Sequence, residues 1–377
     1  MTGESIPDAL DVPGVPGVTH PARLAAWLSR SAAADAGDLQ GVTLIAGGRS
    51  NLTYRLDLSR GRLVLRRPPL GHVLPTAHDM AREYRVLTAL DGTDVPVPHP
   101  VALCADAEII GAPFYLMEYL DGVVLHSREA ALQLRPGQAR QLSERAAEML
   151  AAIHAVDIDA VGLTEFGRPD GYLPRQLARW QRQWHLSATR EMPGYELLVQ
   201  RLTAGLPESA DGTLVHGDFR LDNMLITLGR QPSVAAVIDW EMSTRGDPLA
   251  DLGLTLVYWA GPGEDDWLKI NVGADVTALP GFFTRAELAA RYAELTGRDI
   301  SGIGYYMAFG CFKLAVVLEG IHARFLQHKT VGAGFELEGQ AVPVLIDRAH
   351  QLLDGDLTGG TRKSRSLLAS RLYQNEC

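Results

Sequence analysis

The sequence predicts an α+β fold of two lobes, a small antiparallel sheet followed by a mainly helical lobe. Its 377 residues exceed the roughly 100–200 residues usual for one domain, which favours two lobes. Near residue 120 the sequence changes from short strand patterns with one helix to long helical patterns. We therefore expect an N-terminal arm and leading helix over 1–39, a sheet lobe over 40–118, a helical lobe over 119–355 and a flexible tail over 356–377.

The strands of the first lobe are predicted from alternation and from turn residues. Apolar side chains alternate, as on one face of a strand, at Leu52, Tyr54, Leu56 and Leu58. A Ser-Arg-Gly turn leads into RLVLRR, the returning strand, which ends at Pro68-Pro69. A helix is predicted over 77–90 with Thr76 as its N-cap. The apolar segment FYLMEYL is predicted to be another short strand.

The second lobe is predicted to be helical around one strand-and-loop segment at 213–240. Apolar residues recur at helical spacing over about 140–155. The run YYMAFGCFKLAVVLEGI is interrupted by Lys313 and Glu319, which indicates a buried helix rather than a membrane span. Further helices are predicted over 173–187, 195–204, 248–259, 284–296, 302–328 and 338–353.

Net charge, cysteine spacing and the first residues of the chain indicate which partners and which cellular compartment to expect. Lys and Arg number 35 against 45 Asp and Glu, a net charge of −10, so the chain has no general attraction for nucleic acid. The 3 cysteines are far apart and form no CxxC pair, which argues against a disulfide framework or a thiolate zinc site. The first 19 residues lack Lys, Arg and an apolar stretch, unlike a signal peptide. We expect a cytoplasmic protein with no membrane span and no nucleic-acid partner.

The segment VHGDFRLDNMLI and the following VAAVIDWEMSTRGDPLADLG carry the candidate chemistry. Asp218 and Asn223 lie in a short loop between apolar strands, and Asp239 follows the strand VAAVI. Two carboxylates and an amide suit phosphoryl transfer, in which Asp218 can orient an attacking hydroxyl and accept its proton. Asn223 and Asp239 offer the hard oxygen ligands that Mg²⁺ prefers. The metal would neutralise charge on the phosphates of ATP.

This segment resembles a known superfamily. The spacing D-x-x-x-x-N matches the kinase catalytic loop, with Gly217 in the Arg position and Asp-Trp-Glu in place of Asp-Phe-Gly. The pattern resembles the aminoglycoside phosphotransferase and choline kinase superfamily, relatives of protein kinases that act on small molecules. The resemblance extends over most of residues 40–350 and implies a bilobal protein-kinase-like fold with ATP between the lobes.

The loop AGGRSNLTYRL is the candidate phosphate-covering loop. Gly47 and Gly48 would let the backbone approach phosphate, and Ser50 and Asn51 can donate hydrogen bonds. Further along, LMEYLDG resembles the hinge between kinase lobes. The resemblance implies adenine contacts with the backbone there, through the carbonyl of Glu118 and the N–H of Leu120, with Met117 lining the pocket.

The phosphate-binding cation departs from the usual lysine. VLRRPP takes the place of V-A-I-K, so Arg66 aligns with the Lys and Arg67 is the alternative. Arg binds phosphate as a planar fork rather than as a point charge. GGRSNLTYRL, VLRRPP and the helix beginning near His78 resemble one branch, the phosphotransferase-like proteins related to the N-terminal region of some acyl-CoA dehydrogenase fusion proteins. On that helix, Glu83 is the candidate partner of Arg66, and a solvated helix charge is the alternative.

The same resemblance implies that Asp251 braces the catalytic loop, while capping of the following helix is the plain alternative.

The residues that would bind the phosphate acceptor have several candidates. Trp180 and Trp184 share one helix face and are expected to be core. Arg324 or Lys329 could hold an anionic substrate, with solvated charge as the alternative, and no dense acidic run typical of a site for polycationic aminoglycosides is present in the C-terminal helices.

Together these observations predict an ATP-dependent phosphotransferase that moves the γ-phosphate to a hydroxyl of a small molecule. The branch resemblance suggests a hydroxyacyl-CoA-type acceptor. Two alternatives stay open, an aminoglycoside or amino-alcohol kinase and a catalytically silent nucleotide-binding pseudokinase. The presence of Arg66 in place of the usual lysine favours the pseudokinase. The presence of all three polar residues of the catalytic segment, Asp218, Asn223 and Asp239, opposes it.

Overall fold

Five antiparallel strands form the main sheet. The structure, a computed structural model, describes residues 15–45, 51–70, 79–208, 212–261, 275–327 and 338–355. The strands are β1 (Leu39–Leu44), β2 (Leu52–Leu58), β3 (Gly61–Arg67), β4 (Pro100–Cys104) and β5 (Phe114–Glu118), in the spatial order β1-β2-β3-β5-β4. The predicted hairpin is present, because Leu58 of β2 pairs with Gly61 of β3.

The two edge strands, β1 and β4, were not predicted from the sequence. Each has a register irregularity that interrupts a regular pairing pattern, between Leu39 and Gly41 in β1 and between Pro100 and Ala102 in β4. β4 also begins at Pro100, which a sheet accepts at its edge because proline donates no ladder hydrogen bond.

Helices cover both faces of the sheet. On one face, α1 (Pro21–Leu28) buries Leu24 and Leu28 against strand residues that include Leu56 and Leu65. On the other face, α2 (Met80–Leu90) packs against residues such as Val64, which alternates with Leu65 along β3. The two neighbours on β3 therefore point into different apolar clusters.

The structure changes the predicted start of α2. The expected N-cap, Thr76, lies outside the described residues, and the helix begins at Met80 with Asp79 as its N-cap. The carboxylate of Asp79 accepts a hydrogen bond of 3.0 Å from the backbone N–H of Arg82.

The second part of the chain is mainly helical, as predicted, with two small two-stranded sheets. These sheets pair β6 (Thr213–Val215) with β9 (Thr244–Gly246) and β7 (Met224–Thr227) with β8 (Ser233–Val237). The described helices are α3 (Arg128–Ala131), α4 (Gln138–Ala155), α5 (Tyr172–Ser187), α6 (Tyr195–Ala204), α7 (Pro248–Tyr258), α8 (Arg285–Thr296), α9 (Ile303–Leu326) and α10 (Glu338–Leu353). The division of the chain into the expected ranges stays a prediction.

Helix α9 runs through the helical core. It is long and apolar enough to cross a membrane by length and composition, but 78% of its apolar window is buried inside the structure. It crosses α7 closely: a Cβ added to Gly253 of α7 would lie 2.5 Å from the carbonyl carbon of Tyr306. This packing is that of a core helix, as Lys313 and Glu319 led us to expect.

Candidate active site

The catalytic loop is held in shape from the start of α7. Strand β6 leads into His216 and Gly217, whose backbone N–H groups donate to the carboxylate of Asp251 at 2.6 and 2.9 Å. Burial disfavours ionisation of Asp251, but hydrogen bonds and nearby charge from His154 and His216 outweigh it and lower its pKa. Asp251 thus braces the loop as an ionised carboxylate, which is the role that the resemblance implied.

Gly217 is required by the shape of the loop. It adopts φ +82°, and a Cβ added there would lie 2.5 Å from the backbone carbonyl oxygen of Met242. An arginine, as in the protein-kinase loop, would clash at this position.

The structure brings Asp218, Asn223 and Asp239 to one place. The side-chain amide nitrogen of Asn223 donates to the carbonyl of Asp218 at 2.7 Å and to its carboxylate at 3.2 Å. Strands β7 and β8 pair so that the N–H of Ile238 donates to the carbonyl of Asn223 at 2.9 Å. Asp239 therefore leaves β8 directly beside Asn223.

Asp239 has an unusual backbone conformation. It adopts φ +67°, and it is the one non-glycine residue with positive φ in the described ranges. Asp and Asn are the residues, apart from Gly, that most often tolerate this left-handed region. The turn aims the Asp239 side chain toward the first lobe, where it meets Arg66.

Arg66 joins the two lobes through a charged cluster. Its Nε lies 3.1 Å from the Glu83 carboxylate, as the sequence predicted, and its terminal nitrogen forms a close ion pair with Asp239. A further nitrogen donates to the Thr53 hydroxyl at 3.3 Å. Sequence reasoning did not foresee the contact with Asp239, the residue assigned to the metal.

Arg67, the alternative cation, points the other way. Its guanidinium donates to the backbone carbonyls of Gly17, Ile110 and Pro68 on the opposite face of the sheet. Adjacent strand residues face opposite sides, so only one of the two arginines can reach the cleft. The structure therefore selects Arg66 for the position of the usual lysine.

Asn51 extends the cluster toward the segment after Asp239. Its amide nitrogen donates to Glu241 at 2.8 Å and to Glu83 at 3.5 Å. The amide oxygen of Asn51 is buried and has no hydrogen-bond partner within the described ranges. Sequence reasoning missed Glu241, although its place two residues after Asp239 was a usable signal. The candidate loop residues Gly48 and Ser50 lie outside the described residues.

The hinge candidates lie at the end of β5. Met117 is buried and Glu118, the last residue of the strand, is exposed. The N–H of Glu118 donates to the carbonyl of His99 at 2.8 Å, and Leu120 follows in the segment that leads to the helical lobe. The backbone groups of Glu118 and Leu120 lie at the end of β5, and their contact with adenine stays a prediction.

Glu83 is the most deeply buried carboxylate of the cluster. Only 1% of its side chain is exposed, and its second oxygen accepts the N–H of Trp240 at 3.2 Å. Burial raises the pKa of Glu83 to about 7, although the charge of Arg66 acts in the opposite direction. A solvated helix charge, the alternative considered for Glu83, does not fit this position.

Ionisation of Glu83 is therefore expected to make stability depend on pH. A raised pKa in the folded state means that this carboxyl stabilises the fold fully below its ordinary value of 4.5 and loses that contribution as pH rises through about 7. Relative to Glu83→Gln, the wild type should lose on the order of 1–3 kcal/mol of unfolding free energy over this window. Urea denaturation of both proteins at pH 5, 6, 7 and 8 measures the difference, and a difference that stays constant or grows would contradict the expectation.

A cavity of about 470 Å³ lies beside the catalytic loop. Its lining includes Gly217 of the catalytic loop, the segment 241–244 and residues from α2, α5, α7 and α9. Three cationic side chains from three helices border it, and we call them the basic cluster: Arg82, Arg179 and Lys313. Nothing in their sequence spacing indicated that they would meet.

Of the residues that the sequence suggested for acceptor binding or for the nearby core, only Trp180 lines this cavity in the described part of the chain. Trp184 stacks on Tyr195 at 4.3 Å between ring centroids and is core, as expected, whereas the buried Trp180 also lines the cavity. Arg324 is exposed and does not line the cavity, and Lys329 lies outside the described residues.

Comparison with known proteins decides the family. The model of the phosphotransferase enzyme family matches residues 41–290, which include Arg66, Asp218 and Asp239. The chain belongs to this phosphotransferase enzyme family. The acyl-CoA dehydrogenase family member 10 of Mus musculus is 38% identical over 303 residues, which cover 80% of this chain and 28% of the mouse protein. The chain thus spans less than a third of that relative's length. The similarity confirms the predicted branch, that of proteins related to acyl-CoA dehydrogenase fusion proteins.

Solved structures confirm the fold. A Ralstonia eutropha protein, provisionally named an aminoglycoside phosphotransferase, is 33% identical with a TM-score of 0.73 over 88% of this chain and 98% of that one. A thermostable mutant of the aminoglycoside phosphotransferase APH(4)-Ia, solved with ADP and hygromycin B, is 16% identical with a TM-score of 0.57 over 90% and 99% of the two chains. At that identity the second likeness concerns the fold alone. The family therefore has the bilobal kinase-like fold that the sequence predicted.

Proposed function

We propose that this protein transfers the γ-phosphate of ATP to a hydroxyl group of a small molecule. The observation that carries the proposal is the junction of the lobes, where Asp218, Asn223 and Asp239 lie together with Arg66 and next to an open cavity. A carboxylate near an acceptor cavity, with a second carboxylate and a guanidinium beside it, is the set that phosphoryl transfer needs.

In this proposal Asp218 orients the acceptor hydroxyl and accepts its proton. Asn223 fixes the Asp218 carboxylate with its amide nitrogen, which leaves the amide oxygen of Asn223 for a metal. Asn223 and Asp239 are hard oxygen donors on neighbouring backbone segments and fit Mg²⁺, which would neutralise charge on the phosphates when bound.

The nucleotide would lie between β5 and the Arg66 cluster. Arg66 would bind phosphate oxygens through the terminal nitrogens of its guanidinium, one of which meets Asp239, while Glu83 holds Nε. Asn51, Gly48 and Ser50 would cover the phosphates. The backbone of Glu118 and Leu120, with Met117 beneath them, would contact adenine. The APH(4)-Ia complex, which contains ADP, supports nucleotide binding by this fold.

For the acceptor we keep the hydroxyacyl-CoA-type proposal, which the likeness to an acyl-CoA dehydrogenase family member supports. The basic cluster weighs against the aminoglycoside alternative, because a polycation would meet three positive side chains at the cavity. The hydrogen bond of 3.2 Å from the Asn223 amide to the Asp218 carboxylate weighs against the pseudokinase, because it holds the proposed proton acceptor in a defined orientation.

The proposal is tested by nucleotide binding and turnover. Millimolar ATP with Mg²⁺ should raise the melting temperature by several degrees, because a ligand that binds only the folded state stabilises it, by about 2.7 kcal/mol at a hundred times its dissociation constant. ADP release should then appear when hydroxylated acceptors are added. ATP without Mg²⁺ is the control. A protein that binds Mg-ATP but forms no ADP with any acceptor would support the pseudokinase instead.

A further inference from the structure

The side chains of the basic cluster form no salt bridges among the described residues. None of Arg82, Arg179 and Lys313 forms an ion pair with a carboxylate in the described part of the chain. In a chain with a net charge of −10, cations side by side without such partners are unexpected. Charges of one sign that line a concave site raise the local concentration of ligands of the opposite sign.

Carbonyls and aromatic faces hold these cations in place. Arg82 donates to the carbonyl of Ser243 at 3.0 Å and lies 3.8 Å from the ring centroid of Phe166. The Lys313 ammonium donates to the carbonyl of Gly217 and lies 5.6 Å from the Trp180 centroid. The guanidinium of Arg179 lies 5.2 Å from the same ring. These contacts orient the side chains without pairing them with a negative charge.

Arg179 lies close enough to Lys313 and to Arg82 to repel both. Burial lowers the pKa of Lys313, and the charge of Arg179 lowers it further against the opposing effect of Asp218 and Asp251. Burial likewise lowers the pKa of Arg82, where Arg179 again adds to the shift and Asp79 opposes it. A bound anion would relieve both the repulsion and part of the desolvation cost.

The carboxylates that line the same cavity are already engaged. Asp79 caps α2, Asp251 accepts two N–H groups of the catalytic loop, and Glu241 accepts from Asn51. Each therefore accepts hydrogen bonds from backbone or amide N–H groups rather than from the cationic side chains of the basic cluster.

We propose that the basic cluster binds an anionic group of the acceptor and so selects acceptors that carry a carboxylate or a phosphate. Lys313 touches the residue next to Asp218, so the bound anion lies close to the proposed proton acceptor and fixes the acceptor hydroxyl relative to it. The inference rests on the proposed phosphotransferase function and names the chemistry of its acceptor. Arg179 is the specificity-determining residue to test first, because it is exposed and its replacement should leave the fold intact.

The test uses acceptors in matched charged and neutral pairs. A free hydroxycarboxylic acid is compared with its methyl ester, and a hydroxyacyl phosphopantetheine thioester with the pantetheine thioester that lacks the phosphate. The first pair tests a carboxylate as the anion and the second tests a phosphate. Binding is measured by calorimetry on the full chain with the nucleotide site saturated by Mg-AMP-PNP, and turnover is measured separately as ADP release.

The charged member of at least one pair should bind about tenfold more tightly than its neutral partner. Arg179→Gln should abolish that preference and leave the neutral partner unchanged, and Arg179→Lys should restore part of it. Arg182→Gln is the matched control, because Arg182 is an exposed arginine on the same helix that does not line the cavity.

Equal binding within both pairs, no binding of any member, or an equal loss for both members in Arg179→Gln would overturn the inference. Failure of the proposed function has a different signature. Charged members would then bind with the Arg179 dependence but release no ADP, and the basic cluster would stand as an anion site without phosphoryl transfer.

Discussion

Replacement of Asp218 by Asn is expected to reduce phosphate transfer by about 10²–10⁴-fold, the usual contribution of a positioned proton acceptor. The substitution keeps the shape of the side chain, so Asn223 can still donate to the oxygen at this position. What the variant loses is the negative charge that orients the hydroxyl and accepts its proton. Nucleotide affinity should stay at the wild-type value, because the Arg66 cluster and the β5 backbone are untouched.

ADP release with a saturating acceptor measures the change, and calorimetry with Mg-ATP measures the affinity. Asp222→Asn is the matched control, because this carboxylate lies in the same loop but pairs with Arg220. Wild-type turnover in Asp218→Asn would remove Asp218 from the mechanism. A loss of nucleotide binding along with turnover would instead indicate a collapsed loop, which near-UV circular dichroism would reveal.

Replacement of Asp239 by Asn is expected to abolish the Mg²⁺-dependent rise in melting temperature and to lower turnover by at least about 10²-fold, since metal stabilisation of the transition state amounts to several kcal/mol. Asn is the correct substitution because Asp239 adopts φ +67°. Asn tolerates this left-handed conformation, whereas Ala would add backbone strain and confuse the result. The measured loss then reports the missing carboxylate charge alone.

Thermal shifts with ATP, with and without Mg²⁺, measure this effect in wild type and variant. Asp239 also pairs with Arg66, so a metal bound to this carboxylate would compete with the guanidinium for it. Mg²⁺ should therefore weaken the Arg66–Asp239 contact. A variant that still shows the full Mg²⁺-dependent rise would show that Asp239 is not a metal ligand.

Local sequence was sufficient for most of the secondary structure. Alternation along Leu52–Leu58 and the Pro68-Pro69 stop fixed the central hairpin, and the long helices carried clear apolar periodicity. The edge strands β1 and β4 were not predictable in this way, because irregular pairing and a proline start interrupt their patterns. Helix α2 begins at Met80, and the hydrogen bond from the Arg82 N–H identifies Asp79 as its N-cap.

The catalytic loop was readable from the sequence because its residues are neighbours along the chain. Asp218 and Asn223 share one loop, and their residue types together with the match to the kinase catalytic loop grouped them with Asp239. The structure adds the hairpin that returns Asp239 to this loop. The choice of Arg66 over Arg67 needed the sheet. Adjacent residues face opposite sides of a strand, and only the register of β3 decides which side faces the cleft.

The sequence by itself determined the fold class, the family resemblance and the residues proposed for phosphoryl transfer, since these depend on periodicity and on short-range motifs. The tertiary structure alone decided that Arg66 meets Asp239 across 173 residues of chain and that Arg82, Arg179 and Lys313 line one cavity. The physical reason is that periodicity specifies which face of a helix is buried but not which helix it packs against. The position of a charge from one helix relative to a charge from another is set by the packing of the whole core.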